Sequence, residues 1–317
     1  MREISNKKAG KSSDYCVADG RYHQGVGEIS CNPVNNPLNA RLPFHLRKSR
    51  RILIVGSGIV GIATGKGLAK RGHNVTFIDI KSKVVKKLRS EGFQAFVWEE
   101  IDRLNSIRPE IAMFCLPTPP RIDGSVNTDY LAEAILNYSL LMKSIGYYHV
   151  ICIRSTVPPG TTRALMSLIE ENCFKKAGRD FGICMQPEFL RAKSSESDYA
   201  NPWATIIGEY DRKSGDVLQE LYDGWSGYIE RTSLETAEFM KYVHNCYNAV
   251  KISFANEVWM LGKKLVIDGN KALEMASRTA EGYWNPKYGT VGGHAYGGMC
   301  LPKDTSGFIS FCREKMF

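Results

Sequence analysis

The stretch Arg51-Ile52-Leu53-Ile54-Val55-Gly56-Ser57-Gly58-Ile59-Val60-Gly61 decides how this chain folds. Ile52 to Val55 form a short apolar, mostly β-branched run, the mark of a strand buried on both faces of a parallel sheet. Gly-x-Gly-x-x-Gly follows at once and opens an amphipathic stretch, the strand-to-helix context in which that motif means dinucleotide binding. Gly56 permits the tight turn, Gly58 lets the backbone approach a pyrophosphate, and Gly61 lets the helix pack on the strand. Amides at the start of the helix, around Ile59 and Val60, then face the phosphates.

A second run, Asn74-Val75-Thr76-Phe77-Ile78-Asp79, ends on a carboxylate about twenty residues further on, where such folds grip a ribose 2′-hydroxyl. The charge of Asp79 repels a 2′-phosphate, so the expected cofactor is NAD, although Lys81 and Lys83 stand nearby. Lys81 is counted among the expected cofactor contacts. Thr118 joins them, in the loop Leu116-Pro117-Thr118-Pro119-Pro120 at the end of a further apolar run.

Outward from this unit, apolar runs and amphipathic stretches alternate. NVTFIDI precedes a basic helix, EIAMFCLP a helix around 127–146, YHVICIRSTV a helix around 161–172, and GICMQPEF and ATIIGEY follow. That alternation predicts an α/β, doubly wound parallel sheet of Rossmann type over residues 49–232. From about Thr232 the segment LETAEFMKYVHNCYNAVKISFANEVWMLGKKLVIDG carries helical periodicity without a proline. It predicts a helical domain over 233–317 with a long central helix approaching ~50 Å, and a homodimer built on that helix. Residues 1–48 are polar, show no sustained period, and are expected to form an irregular extension.

Composition narrows the class. The chain has 317 residues, 43% of them hydrophobic and 24% charged, which suits a globular protein with about two domains. No apolar run is long enough to span a bilayer and the N-terminus has no apolar leader, so a cytoplasmic protein without a membrane partner is expected. The formal charge of +9 comes largely from residues such as Lys7, Lys8, Lys11, Arg47, Lys48, Arg50 and Arg51, a basic tail rather than a nucleic-acid surface. Lys81, Lys83, Lys86, Lys87 and Arg89 read as a solvated helix face. Nine cysteines are scattered without a Cys-x-x-Cys pair, so neither a zinc site nor a disulfide framework is expected.

One cysteine stands apart. Gly292-Gly293-His294-Ala295-Tyr296-Gly297-Gly298-Met299-Cys300-Leu301-Pro302-Lys303-Asp304 delivers Cys300 from a glycine-rich loop to a helix start, where Pro302 suits the first turn. The partial positive charge of a helix N-terminus favours a nucleophilic thiolate. Lys241 and Asn245 lie four apart on the long helix and share a face, and Asp304 follows Cys300 by the same interval. Thr156 leaves a buried strand in Arg154-Ser155-Thr156-Val157-Pro158-Pro159-Gly160, and Glu188 lies in Gln186-Pro187-Glu188-Phe189-Leu190. Taken singly, each of these suits a cap, a surface charge or a turn.

Taken in order, the motifs GSGIVG, CLPTPP, RSTVPPGTT, QPEFLR, AEFMKYVHN and GGMCLPKD resemble those of the UDP-glucose/GDP-mannose 6-dehydrogenase family, over residues 51 to 317. The resemblance implies NAD-dependent oxidation of a nucleotide-sugar C6 alcohol to a carboxylate, with UDP-glucose the expected substrate. It implies that Cys300 carries a thiohemiacetal and then a thioester, that Lys241 stabilises an oxyanion with Asn245 assisting, and that Thr156 and Asp304 hold and activate the water. Glu188 matches the carboxylate of the family's Pro-Glu-Phe-Leu motif, and Thr156 is also an expected cofactor contact.

Two departures stand out. Ala192 occupies the place of a second glutamate, and the family's usual third domain, which binds the nucleotide, would lie beyond Phe317. A natural short form, a split enzyme completed by a partner and an incomplete product all fit that reading. A β-hydroxyacid dehydrogenase, which pairs a lysine and an asparagine without a nucleophilic cysteine, and an NAD-binding subunit without full activity are the alternatives.

Overall fold

The structure, a computed structural model, describes residues 48–316. The chain divides into Met1–Asn39, outside the described residues, and Ala40–Phe317. The expected extension over 1–48, with Cys16 and Cys31, therefore lies outside them except for Lys48.

In chain order the elements are β1 (Arg51–Val55), α1 (Ile59–Lys70), β2 (Asn74–Asp79), α2 (Ser82–Ser90), β3 (Gln94–Val97), a 3₁₀ turn, α3 (Leu104–Ile107), β4 (Ile111–Phe114), α4 (Asp129–Met142), β5 (Val150–Ile153), α5 (Thr161–Cys173) and β6 (Gly182–Met185). They continue with α6 (Ser195–Ala200), β7 (Ala204–Glu209), α7 (Arg212–Glu220), β8 (Tyr228–Ser233), α8 (Leu234–Leu265), α9 (Gly269–Thr279), α10 (Glu281–Trp284) and α11 (Cys300–Met316). One eight-stranded sheet runs β3-β2-β1-β4-β5-β6-β7-β8. Strand order reverses at β1, the topological switch point at whose carboxyl edge ligands gather.

Alternate residues of each central strand feed two cores. Leu53, Val55, Phe114, Ile151 and Ile153 pack with Leu131, Ile135 and Tyr138 of α4 and Leu165 and Ile169 of α5. On the other face, Ile52, Ile54, Met113 and Cys152 pack with Ala63 and Leu68 of α1 and Val85 and Leu88 of α2. Burial on both faces is why the strands read as continuous apolar runs instead of alternating.

The sheet departs from an all-parallel expectation at one junction. β6 and β7 pair antiparallel through Cys184↔Glu209 and Met185↔Gly208, while β7 and β8 return to parallel pairing. An antiparallel neighbour needs no crossover helix packed on the sheet, and only the short α6 lies between those two strands. β3 and β8, both edge strands, were not among the expected runs.

α8 begins at Ser233, whose Oγ accepts the amide of Thr236 at 3.1 Å, and runs for 32 residues. Its first two turns bury Leu234, Ala237, Glu238 and Lys241. Another face of the helix, Phe239, Val243, Tyr247, Val250 and Phe254, is exposed. No helix among the described residues is long and apolar enough to cross a membrane.

Candidate active site

The register of the central strands places the expected residues side by side. Val55, Phe114, Ile153 and Met185, the last residues of β1, β4, β5 and β6, form one paired row. The chain leaves that row in step: the amides of Cys115, Arg154 and Gln186 still donate to Val55, Phe114 and Ile153 at 2.8, 2.9 and 2.8 Å. Gly58, Thr156 and Glu188 each follow by three residues, so three motifs open onto the same edge.

The glycine loop has the shape a dinucleotide needs. Gly56 takes φ +88°, and a Cβ there would meet the Cys115 carbonyl at 2.8 Å; a Cβ on Gly61 would lie 2.0 Å from the Gly56 carbonyl. At Gly58 nothing lies within 4 Å of the Cβ position, which leaves the backbone open to a phosphate. Asp79 accepts the Ser57 amide at 2.6 Å and the Lys81 amide at 2.8 Å, so its carboxylate is fixed at the loop's rim with lone pairs to spare for a ribose. Ile59 is exposed, Val60 is half-buried, and Lys81 projects into solvent at the start of α2.

Opposite, the loops after β4 and β5 are tied together. Ser155 Oγ accepts the Leu116 amide at 3.0 Å and donates to its carbonyl at 2.8 Å, and Thr118 Oγ1 donates to the Thr156 carbonyl at 2.8 Å.

Lys241 reaches the loop after β6. Its Nζ donates to the Glu188 carbonyl and lies 3.2 Å from Oε1 of the same residue, with side-chain exposures of 6% and 16%. The other carboxylate oxygen of Glu188 accepts the Leu190 amide at 2.7 Å. Lys241 also stands 5.3 Å from the Phe189 ring, whose centroid lies 4.8 Å from that of the His244 ring at a tilt of 50°. Burial, and then the Lys241 charge, push the His244 imidazole below its usual range, while Glu188 acts the other way. A cation fixed in so dry a place is suited to meeting a developing oxyanion.

Asn245 follows on the exposed continuation of α8. Cys300 is exposed at the first residue of α11, as the loop-to-helix reading required, and Asp304 pairs with Lys303. Among the described residues, neither Cys300 nor Asp304 shares a hydrogen bond or ion pair with Lys241 or Glu188. The structure thus brings Lys241, Glu188, Thr156 and Thr118 to the sheet edge, and leaves Cys300, Asp304 and Asn245 on the open face of the helical segment.

Comparison with known sequences bears directly on this arrangement. The profile of the UDP-glucose/GDP-mannose dehydrogenase family, NAD binding domain, matches residues 50–226, and that of the same family's central domain matches residues 235–317. The chain belongs to this family. NAD is its cofactor, and the open Gly58 backbone and the Asp79 carboxylate are groups that fit it.

A GDP-mannose 6-dehydrogenase from Pseudomonas savastanoi pv. phaseolicola is 34% identical over 80% of this chain and 62% of its own length. A UDP-glucose 6-dehydrogenase of Bacillus subtilis is 30% identical over 81% and 61%. The crystal structure of a ternary complex of GDP-mannose dehydrogenase from Pseudomonas aeruginosa superposes with a TM-score of 0.78 at 30% identity, covering 83% of this chain and 64% of that one. The chain therefore spans a little over three fifths of the length of the relatives it matches.

Two groups of site residues went unread in the sequence. Ser155 ties two family loops together, and Glu238 is fully buried. A signal for Glu238 existed: positions 234, 237, 238 and 241 fall on one helix face, so the glutamate sits in a stripe meant for apolar residues.

Proposed function

We propose that this chain acts in the NAD-dependent oxidation of the C6 alcohol of a nucleotide sugar to the carboxylate, through a covalent intermediate on Cys300. The observation that carries this reading is the buried Lys241–Glu188 pair at the sheet's carboxyl edge, beside the loops that suit NAD. Relatives at the higher identity are named for GDP-mannose and the next for UDP-glucose, so those two sugars are the first to test.

NAD, when bound, accepts a hydride in each of the two oxidations. Loss of hydride from C6 and of the hydroxyl proton gives an aldehyde. The Cys300 thiolate forms a C–S bond to that carbon, and the carbonyl pair moves to oxygen and takes a proton. Loss of a second hydride and of that proton leaves a thioester. Water then attacks, the C–S bond breaks, and the thiolate returns. Lys241 faces the oxyanion, Asn245 assists through its amide, Thr156 and Asp304 hold the water, and Glu188 keeps the Lys241 ammonium in place.

The exposed face of α8 belongs to the same proposal. Phe239, Val243, Tyr247, Val250 and Phe254 recur at intervals of three or four, which makes a continuous apolar stripe for a second copy of the chain.

Counting NADH per mole of sugar consumed tests the chemistry. The expected value is two on GDP-mannose or UDP-glucose, with Cys300→Ser stalling after the first oxidation. One NADH per substrate, or full acid formation by the Cys300→Ser variant, rules out the covalent four-electron route.

A further inference from the structure

Glu238 carries a carboxylate into a place with 0% exposure, one turn before Lys241 on α8. Burying a charge costs several kcal/mol unless hydrogen bonds replace the lost water. Two do so here: its carboxylate oxygens accept the amides of Gly160 at 2.5 Å and Thr162 at 2.6 Å, in the first turn of α5. The positive end of that helix adds to the fit.

What these bonds hold is the Arg154–Gly160 loop. At its start the loop is fixed by Ser155 to Leu116 and by Thr118 to the Thr156 carbonyl. At its end it is fixed by Glu238 alone among the side-chain hydrogen bonds to the Gly160 and Thr162 amides. The same stretch of α8 sends Lys241 to Glu188 in the neighbouring loop. One helix turn therefore grips both loops that leave β5 and β6.

We infer that Glu238 is a positioning residue for the oxidation: by clamping the α5 end of the loop to α8, it fixes Thr156 relative to Lys241. The inference rests on the proposed function, which makes Thr156 and Lys241 groups that meet the substrate. Misplacement of reacting groups by about 1 Å costs up to about a hundredfold in rate, so the clamp has a measurable consequence. It also titrates. Burial raises the Glu238 pKa, the Thr162 and Gly160 contacts oppose, and the Glu235 charge adds to the rise. Glu235, its partner Arg163, and Tyr242 are the ionisable groups that feel it.

Glu238→Gln keeps the shape but turns an NH₂ toward a backbone N–H; Glu238→Asp keeps the charge and shortens the reach. Amide hydrogen exchange in residues 154–162, read against 51–61 as an internal reference, is measured alongside NADH formation. In the glutamine variant, exchange in 154–162 is expected to rise by about tenfold with 51–61 unchanged. Its kcat is expected to fall by about tenfold or more at constant KM for NAD, and the acid-side decline of kcat to become shallower than in the wild type.

The aspartate variant should fall between, and it carries the same comparison if the glutamine variant does not fold. Unchanged protection of 154–162, unchanged kcat, or equal loss of protection in both segments overturns the inference. If the wild-type chain makes no NADH from any nucleotide sugar, the proposed function fails on its own account, and the exchange data still decide whether Glu238 clamps this loop.

Discussion

At Gly61 and Gly58 the same side chain is missing for opposite reasons, and alanine separates them. A methyl at Gly61 would lie 2.0 Å from the Gly56 carbonyl, inside backbone that cannot swing aside. Gly61→Ala is therefore expected to cost about 1–3 kcal/mol of stability, as overpacking does, and to abolish NAD binding. Gly58→Ala meets nothing within 4 Å, so its melting temperature should stay at the wild-type value while NAD affinity falls by about tenfold or more, because the methyl blocks the pyrophosphate's approach. Thermal melts and an NAD titration on both variants check this; a matching drop in melting temperature for the two would refute it.

The thiols make a similar contrast. Burial pushes Cys115 up to about 11 and Cys152 up to about 12, whereas Cys300 and Cys246 are exposed. Iodoacetamide at neutral pH should mark those two first among the described cysteines, and peptide mapping would show it. The tight turn at Gly56 and the close packing at Gly61 were legible in the sequence, because the glycine motif falls between an apolar run and an amphipathic stretch. Glu238 was legible only as a polar residue in an apolar stripe, and its role was not, because the amides it binds lie more than seventy residues away.

Elements were legible where burial was two-sided. β1, β2, β4 and β5 announce themselves as apolar runs because helices cover both faces, and the length of α8 follows from unbroken periodicity. β3 starts exposed and ends half-buried, unlike the equally short but fully buried β4 and β5, and β8 alternates exposed and half-buried positions through Glu230 and Arg231. Edge strands carry such polar residues to discourage pairing with other chains, and the same residues hide them from pattern reading.

The end of α8 was also hidden, since it stops at Val266 in the left-handed region, φ 56°, without the usual glycine. A β-branched residue there is strained by about 1–2 kcal/mol, and Val266 is 95% exposed, so the side chain packs on nothing that repays it. Val266→Gly should thus raise stability by about 0.5–1 kcal/mol after the extra unfolded-state entropy of glycine is counted. Chemical denaturation measures this, and a lower midpoint in the variant would show that the cap is not strained.

Over the whole molecule, two features decide behaviour in solution. The apolar stripe on α8 predicts self-association: Tyr247→Asp together with Val250→Glu should shift the sedimentation coefficient from dimer to monomer, and a wild-type chain that is monomeric at micromolar concentration would remove the basis for it. The second feature is acid sensitivity. His149 is 1% exposed just before β5, with the rings of Tyr138 and Tyr147 at 5.9 and 6.0 Å. Burial drives its imidazole from 6.5 down to about 4, a backbone contact with Tyr147 opposes, and the Lys175 charge adds.

The folded chain therefore resists a proton that the unfolded chain accepts once the pH drops below about 6.5. Stability is fully present above that value and declines as the pH falls toward about 4, by up to about 3 kcal/mol for this group at 1.36 kcal/mol per unit. Below about 4 His149 contributes no further loss, and ion-paired carboxylates such as Asp180, held down to about 2 mainly by Arg179, take over. His244, also held below its usual range by burial, is present in both the wild type and a His149 variant, so the difference between the two isolates the share of His149. His149→Phe fills the same slot beside the tyrosine rings without titrating. Urea unfolding at pH 7 and pH 4.5 should show a steep acid loss in the wild type and a shallow one in the variant; parallel losses would mean that the imidazole is not the group that senses acid.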